Sequence, residues 1–167
     1  MKKLLLIMLT ILLLCSCGKK KKEKEEVINP NEITMSGIKY VVDVDAEAYN
    51  LKLKVASNFE RRNFVNCVSF YSEKINDEYN FIIRIFNFDK KATYDYIVED
   101  ITGEKLSYED VTVNDVEYKF AVYKVENDEI EIFMKKVGKE YYAITFLAKD
   151  DVKKLENVFL KGIIYNE

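Results

Sequence analysis

VEYKFAVYKV (116–125), ENDE (126–129), IEIFMKKV (130–137), GK (138–139) and EYYAITFLA (140–148) follow one another in the sequence and decide the fold. The three long segments alternate apolar and polar residues or are apolar throughout, which is typical of strands. The two short segments between them are polar and suit turns. An earlier segment, 106–113, is joined to this stretch by Asn114 and Asp115. Strands joined by short turns run antiparallel, so residues 106–148 predict a four-stranded meander.

Working outward, three earlier segments also have strand patterns. Residues 49–55 alternate without error and predict a half-buried strand with Asn50, Lys52 and Lys54 on its polar face. Residues 65–73 and 79–88 predict a hairpin around 75–77, where Asn and Asp suit a turn. Residues 33–44 predict an opening strand or strand pair.

The segment FIIRIFNF (81–88) is apolar on both faces, as is 140–148, so both strands are expected to be covered on two sides. Arg84 interrupts the first of them. We expect a structural role for it, either at a strand end or in an ion pair. A helix beginning near Val152 is the natural cover for one face, and incomplete cover would leave an apolar groove rimmed by tyrosine hydroxyls.

Two segments have helical spacing. Tyr94, Val98 and Ile101 recur at helical intervals, as does Ile97, with Asp89 as the expected N-cap and Gly103 just beyond the end. Asp150 or Asp151 is expected to start a C-terminal helix that buries the apolar residues Val152, Leu155, Val158 and Phe159. The sequence therefore predicts a single α+β domain: a largely antiparallel sheet of six or seven strands, with helices near 90–102 and 150–161 packed on it.

The N-terminus has the organisation of a bacterial lipoprotein signal. Lys2 and Lys3 precede an apolar run of about eleven residues, too short to cross a membrane. Leu14, Cys15, Ser16, Cys17 and Gly18 then match a lipobox, with Cys17 as the residue that takes the palmitate-type acyl chains. The alternatives are an ordinary secretory signal cleaved near Ser16 and a tail that stays inserted.

Three parts of the chain follow from this assignment. Residues 1–16 are the predicted signal peptide, and 17–32 are the lipidated cysteine with a Lys- and Glu-rich tether. Residues 33–167 are the domain. Two or three acyl chains hold a protein stably on a membrane, so we expect a lipid-anchored protein on the extracytoplasmic face of the cell membrane. A tether of this length averages about 20 Å as a flexible coil, which keeps the domain close to the lipid.

The charge of the domain argues against one class of partner, and its cysteine content indicates the state of Cys67. The chain has a net charge of −3, but residues 27–167 alone carry 19 basic and 26 acidic residues, a net −7. An acidic domain argues against nucleic acid as a partner, because phosphate binding needs clustered Lys or Arg. Cys67 is the one cysteine left after Cys15 and Cys17 are assigned to the signal and the anchor. Its apolar neighbours predict a buried structural thiol rather than a reactive or intermolecular one.

Catalytic and metal-binding patterns are weak. The sequence contains no His, the commonest general base and zinc ligand, and its five glycines form no phosphate loop. Asp43, Asp45 and Glu47 resemble the start of a calcium loop, but Ala48 and Lys54 stand where Gly and a bidentate Glu are needed. We therefore expect Asp43, Asp45 and Glu47 to be solvated acids and not calcium ligands. We therefore predict no catalytic residue, no metal, no cofactor and no enzymatic activity.

The order of elements resembles the PsbP-like fold, which includes lipid-anchored envelope proteins of the DcrB type. The resemblance rests on the 49–59 strand and its following loop, the helix after Phe88, the hairpin 113–118, and the YYAITF segment (141–146) before the last helix. It covers most of residues 38–165. It implies an assembly or binding role and no shared catalytic set, so no site residue is transferred from it.

Tyrosine is the residue type most suggestive of function, with 12 in the chain. An exposed Tyr presents an aromatic ring and a hydroxyl together and suits protein or glycan contacts. The candidate binding residues are Tyr94, Tyr96, Tyr123 and Tyr141. The predicted function is a non-catalytic binding or accessory module at the cell envelope, with a protein or envelope component as partner. The alternative is a small carboxylate-dependent hydrolase or carbohydrate-active enzyme.

Overall fold

The computed structural model describes residues 29–148 and 152–166, and the predicted signal, the lipobox cysteine Cys17 and residues 150–151 lie outside them. Most of the described chain is strand, with two helices. Helix α1 spans Lys91–Thr102 and helix α2 spans Val152–Lys161. The strands are β1 Glu32–Met35, β2 Ile38–Ala48, β3 Leu51–Ala56, β4 Glu60–Asn63, β5 Cys67–Tyr71, β6 Lys74–Ile75, β7 Glu78–Tyr79, β8 Phe81–Phe88, β9 Glu109–Val113, β10 Val116–Val125, β11 Asp128–Val137, β12 Glu140–Ala148 and β13 Ile164–Tyr165.

The largest sheet is antiparallel and has seven strands in the order β4-β5-β8-β12-β11-β10-β9. The predicted meander β9 to β12 is confirmed as one half of it, with Val113 paired to Val116 and Val137 to Glu140. Strand β8 lies between β5 and β12, so its backbone is hydrogen-bonded on both edges. This central position explains why a strand with two apolar faces is needed here.

A second, four-stranded sheet has the order β1-β2-β3-β13. It packs with helix α2 against one face of the seven-stranded sheet, and the main core lies between the layers. Phe70, Ile83, Ile144, Phe146 and Phe159 are each no more than 1% exposed there. The predicted single α+β domain, with a largely antiparallel sheet of six or seven strands and two helices packed on it, is confirmed. The structure adds the four-stranded sheet and the short β6-β7 hairpin, which the sequence did not separate from the main sheet.

Helix α1 packs on the opposite face of the seven-stranded sheet. It buries Tyr94 and Val98 against a second apolar cluster that includes Phe88, Ile132 and Met134. The expectation that Asp89 caps this helix is wrong: Lys90 is the N-cap residue and makes no side-chain capping bond. The predicted C-terminal stop is confirmed, since Gly103 adopts φ 74° and donates its N–H to Glu99 O at 2.8 Å.

Other boundaries differ by a few residues for local reasons. Tyr49 belongs to the β2–β3 turn with φ 56°, rather than to a strand, and β11 begins at Asp128 because Glu126, at φ 57°, completes a tighter turn. Asn76 and Asp77 both have positive φ, as do Asn114 and Asp115, as two-residue hairpin turns require. Within the described residues, no helix combines the length and hydrophobicity needed to cross a membrane.

Candidate functional site: the α1 seam

We use the term α1 seam for the contact region between helix α1 and the seven-stranded sheet. A cross-strand row of polar residues runs through it, because directly paired residues on neighbouring strands point to the same face. The pairs are Arg62 with Ser69, Ser69 with Arg84, and Arg84 with Thr145. The row lies on the α1 side, since Phe86, two residues after Arg84, packs against Tyr94 of α1.

Arg84 occupies the middle of β8 and is partly buried, between Ile82 and Phe86 on the same face. Among the described residues it takes part in none of the ion pairs, and its guanidinium donates none of the hydrogen bonds. Its nitrogens keep contact with solvent. The expectation of a strand-end or ion-paired arginine is therefore wrong for this residue.

Arg62, at the edge of the same row, is fully engaged. Its guanidinium donates to both oxygens of Glu60, at 2.8 and 3.1 Å, and to Tyr79 Oη at 2.6 Å. It also lies 4.5 Å from the ring centre of Tyr71. The two arginines of the row thus differ: the outer one is neutralised by a carboxylate, and the inner one is not.

Tyrosine hydroxyls face the row from α1 and β10. Tyr94 Oη and Tyr123 Oη are hydrogen-bonded at 3.0 Å. Burial, followed by the neighbouring hydroxyl, raises the pKa of Tyr94, and burial likewise raises the pKa of Tyr123. The positive charge of Arg84 acts on both and partly opposes these shifts. Both phenols remain neutral and serve as hydrogen-bond donors or acceptors.

A second polar group closes the rim of the α1 seam. Tyr108 donates to Asp95 at 2.7 Å, and Asp95 is ion-paired with Lys91 one turn earlier on α1. The Lys91 ammonium lies 3.9 Å from the centre of the Tyr108 ring. Burial, then the bond to Asp95, raises the pKa of Tyr108. The Lys91 ammonium and the Asp95 carboxylate of this group neutralise each other.

Cys67 contributes a thiol to the same face, as its pairing with Phe86 requires. It is 7% exposed, and its sulfur lies 3.3 Å from Ser69 Oγ. Burial raises the pKa of the Cys67 thiol, with Ser69 and Arg84 acting in the opposite direction. The predicted buried thiol is confirmed, and it is the free cysteine of the described residues.

The four predicted binding tyrosines occupy different environments. Tyr94 is 2% exposed, so a surface position is wrong for it, and its role is in the core. Tyr96 is 72% exposed on α1, whereas Tyr123 and Tyr141 are half-buried on the sheet. All four lie at or beside the α1 seam, because Tyr123 and Tyr141 pack against the cluster that Tyr94 completes.

The α1 side of the sheet is only partly covered, since Ile82, Arg84 and Phe86 of β8 are half-buried there. Ile97 and Ile101 remain 39% and 60% exposed beside Tyr96. A shallow cavity of about 290 Å³ adjoins this surface and is lined by Ala92, Asp95, Tyr96, Glu99, Lys105 and Leu106. The sequence placed the incompletely covered helix at the C-terminus; α2 is instead well packed, with Leu155, Phe159 and Leu160 at most 2% exposed.

A larger open groove of about 670 Å³ lies on the same face at the far end of β8. Ile82 and Leu147, a cross-strand pair in the row next to Arg84 and Thr145, belong to its lining with Ala148. Its rim is acidic, since Asp77, Glu78, Asp128 and Glu129 also line it. The groove is thus apolar where it approaches Arg84 and negatively charged at its outer edge.

The acids that could suggest metal binding are dispersed. Asp43, Asp45 and Glu47 are exposed on β2, and Asp45 is ion-paired with Lys54. Within residues 29–148 and 152–166 no three Cys, Asp or Glu side chains gather as metal ligands would. Hydrogen bonds lower the pKa of two carboxyls, that of Glu60 through Arg62 and that of Glu140 through Tyr142.

Comparison with known proteins supports the fold alone. No family model matches the chain, and no curated protein matches it. A crystal structure from Bacteroides thetaiotaomicron VPI-5482 is similar with a TM-score of 0.52 and 12% sequence identity, over 75% of this chain. The match spans 48% of that longer chain. The resemblance to PsbP-like proteins stays a prediction.

Sequence reasoning missed Arg84 as a site residue. The available signal was a lone cation within FIIRIFNF, an otherwise apolar segment. An Arg at such a position requires either a partner or a ligand, and only the folded chain reveals that a protein partner is missing among the described residues.

Proposed function

We propose that this protein is a lipid-anchored, extracytoplasmic accessory module that binds a ligand or partner at the α1 seam without converting it. One observation carries the proposal. The α1 seam brings together Arg84, which is not ion-paired among the described residues, and the hydroxyls of Tyr94 and Tyr123, beside the apolar cluster that α1 covers. Convergent polar groups on an apolar, partly open surface are typical of binding sites.

The chemistry of the groups at the α1 seam supports binding rather than catalysis. The raised pKa values of Tyr94 and Tyr108 keep both phenols protonated, so neither acts as a base near neutral pH. Glu60 and Glu140 have lowered pKa values, which makes them poor proton donors. A glycosidase-type mechanism needs one carboxyl with a raised pKa facing a second carboxylate, and neither of these two provides it.

Membrane attachment is supported by the lipobox, which ends at Cys17, and by the short distance along the chain from Cys17 to the start of β1 at Glu32. These residues would hold the α1 seam within tens of ångströms of the lipid surface. The accessory role follows from that position: a domain tethered so closely can present its ligand only to components of the same membrane or envelope.

The test uses the full-length chain in a bacterium that processes lipoproteins. With an alkyne-labelled palmitate, we expect labelling of the wild type and of Cys15→Ala, and none of Cys17→Ala, which should remain as unprocessed precursor. A photo-crosslinking benzoylphenylalanine is then placed at position 101 or at position 164; these isoleucines are both 60% exposed, on α1 and on β13 respectively.

We expect an adduct from position 101 and not from position 164, because only the former adjoins the α1 seam. Equal adduct formation from both positions would contradict seam binding. Normal maturation and labelling of Cys17→Ala would contradict the lipid anchor.

A further inference from the structure

We propose that Arg84 is the anion-binding residue of the α1 seam and that the site takes one oxyanionic group, a carboxylate or a phosphate, of a ligand with an apolar body. The inference rests on the proposed function for the statement that the seam binds a ligand at all. It adds the chemical class of that ligand and the residue that recognises it.

The position of Arg84 is unfavourable for a charge without a partner. It lies in the middle of β8, between Ile82 and Phe86 on its own face, where aliphatic residues would pack without a desolvation cost. An arginine is rarely kept in such surroundings without a carboxylate or a hydrogen-bonding partner. Among the described residues Arg84 has neither, so its guanidinium keeps its fork of donors available for a planar oxyanion.

The groups that face Arg84 are uncharged. Ser69 and Thr145 flank it in the cross-strand row, and the phenols of Tyr94 and Tyr123 and the thiol of Cys67 lie within range of its charge. All of them are neutral near pH 7, and none competes with an incoming anion. On helix α1, the Asp95 carboxylate is already bound by Lys91 and Tyr108.

Arg62 is the internal comparison. It shares the row and the face, yet Glu60 engages it through both oxygens. A carboxylate therefore pairs with the solvent-exposed Arg62, where a counter-charge matters less. Among the described residues none pairs with the partly buried Arg84, where a counter-charge matters more. An external oxyanion is the group that would complete the inner position.

The groove beside Arg84 limits the ligand to one anionic group. The groove next to Arg84 has Ile82 and Leu147 on its floor and four carboxylates on its rim. An apolar body can lie along that floor, but a second negative charge on the ligand would be repelled by the carboxylates of Asp77 and Asp128. A single carboxylate or phosphate attached to an apolar group satisfies both conditions.

The experiment measures weak anion binding to the purified full-length protein in a nonionic detergent. Inorganic phosphate and ¹³C-acetate are the probes, observed separately by ³¹P and ¹³C NMR line broadening at constant ionic strength with chloride as background. We expect broadening of at least one probe by the wild type. Arg84→Gln should reduce the affinity for that probe about tenfold or more, since charge-assisted hydrogen bonds are lost.

The matched control is Arg61→Gln. Arg61 is an exposed neighbour on β4 that pairs with Phe70 and so points to the other face. Binding should be unchanged in this variant. Arg84→Lys keeps the charge but not the planar fork and should give an intermediate loss, which keeps the test informative if Arg84→Gln folds poorly.

The two probes separate the possible sources: broadening of acetate alone assigns a carboxylate, and of phosphate alone a phosphate. Equal broadening by the wild type and Arg84→Gln, or no broadening of either probe by the wild type, would overturn the proposal. This result is independent of the crosslinking at position 101. Crosslinking without anion binding would remove this inference and leave the proposed function. Anion binding without crosslinking would contradict the proposed partner contact at position 101 and leave Arg84 as an anion-binding residue.

Discussion

Two arginines in one cross-strand row show that the role of an arginine depends on the groups beside it. Arg62 is exposed, lies over the ring of Tyr71 and is neutralised by Glu60. Arg84 is partly buried and lacks a carboxylate among the described residues. The same side-chain type is therefore charge-paired at the exposed position and without a carboxylate partner among the described residues at the partly buried one.

The effect of Arg84 on stability can be tested by substitution. Arg84→Met replaces a partly desolvated lone charge by an apolar chain of similar length, without breaking an ion pair. We expect the free energy of unfolding to rise by about 1 kcal/mol, as is common when a residue kept for binding is replaced by a packing residue. Thermal or urea unfolding measures the change.

Arg61→Met is the control for this change, since Arg61 is exposed and should give no comparable gain. A clear loss of stability in Arg84→Met would mean that Arg84 makes structural interactions, and it would remove the basis for reading the residue as a ligand-binding one.

At the scale of elements, α1 is the less buried of the two helices in the described part of the chain. It buries only Tyr94 and Val98 in the core and leaves Tyr96, Ile97 and Ile101 exposed. Its end depends on Gly103, whose left-handed conformation allows the capping bond to Glu99 O. A helix with few buried contacts and one defined stop opens more easily than the sheet beneath it.

The C-terminal stop of α1 can be tested by substitution. Gly103→Ala places a Cβ on a residue at φ 74° and should cost about 1 kcal/mol of stability. Gly103→Asn should cost less, because Asn tolerates this conformation. Hydrogen exchange should show faster exchange confined to α1. Equal losses for both variants, or exchange spread through the sheet, would contradict this account.

At the scale of the whole molecule, the two sheets are joined by a few polar contacts as well as by the core. Glu140 Oε2 accepts hydrogen bonds from Tyr142 Oη at 2.5 Å and Asn87 Nδ2 at 3.2 Å on the large sheet. It also accepts one from Asn50 Nδ2, at 3.4 Å, in the β2–β3 turn of the small sheet. At the other end Asn80 Nδ2 donates to Met35 O at 3.1 Å.

The contact at Glu140 makes stability depend on pH. Hydrogen bonds, first that from Tyr142, lower the pKa of Glu140 in the folded state. Its contribution is therefore present above the unfolded pKa of about 4.3 and is lost as pH falls through the lower folded value. Because the carboxylate is reached by solvent, we expect the contribution to be only about 0.5 kcal/mol.

Urea unfolding at pH 6 and pH 3 measures this difference. Glu140→Gln should lose less stability than the wild type over this interval, whereas Glu117→Gln, at an exposed site on β10, should match the wild type. An unchanged pH dependence in Glu140→Gln would mean that the Glu140 contacts contribute nothing to holding the sheets together. Burial, followed by the hydrogen bond to Glu140, raises the pKa of Tyr142 to about 12.

Much of the fold could be predicted because its signals are local. Alternation over 116–148, positive-φ turns at Asn114 and Asp115, and Gly103 after a helical repeat are each set by neighbouring residues. The candidate site could be predicted only in part. Tyr96 and Tyr94 are two residues apart, and helical periodicity places them on different faces, but which face meets the sheet depends on strands distant in sequence.

The sequence by itself therefore determined where strands, turns and helices form, and that Cys67 is buried, because backbone propensity and side-chain alternation act over a few residues. Only the tertiary structure decided that the strands divide into two sheets, that α1 rather than α2 is left partly uncovered, and that Arg84 has no carboxylate beside it among the described residues. These outcomes depend on pairings such as Arg84 with Thr145, 61 positions apart, which no local pattern records.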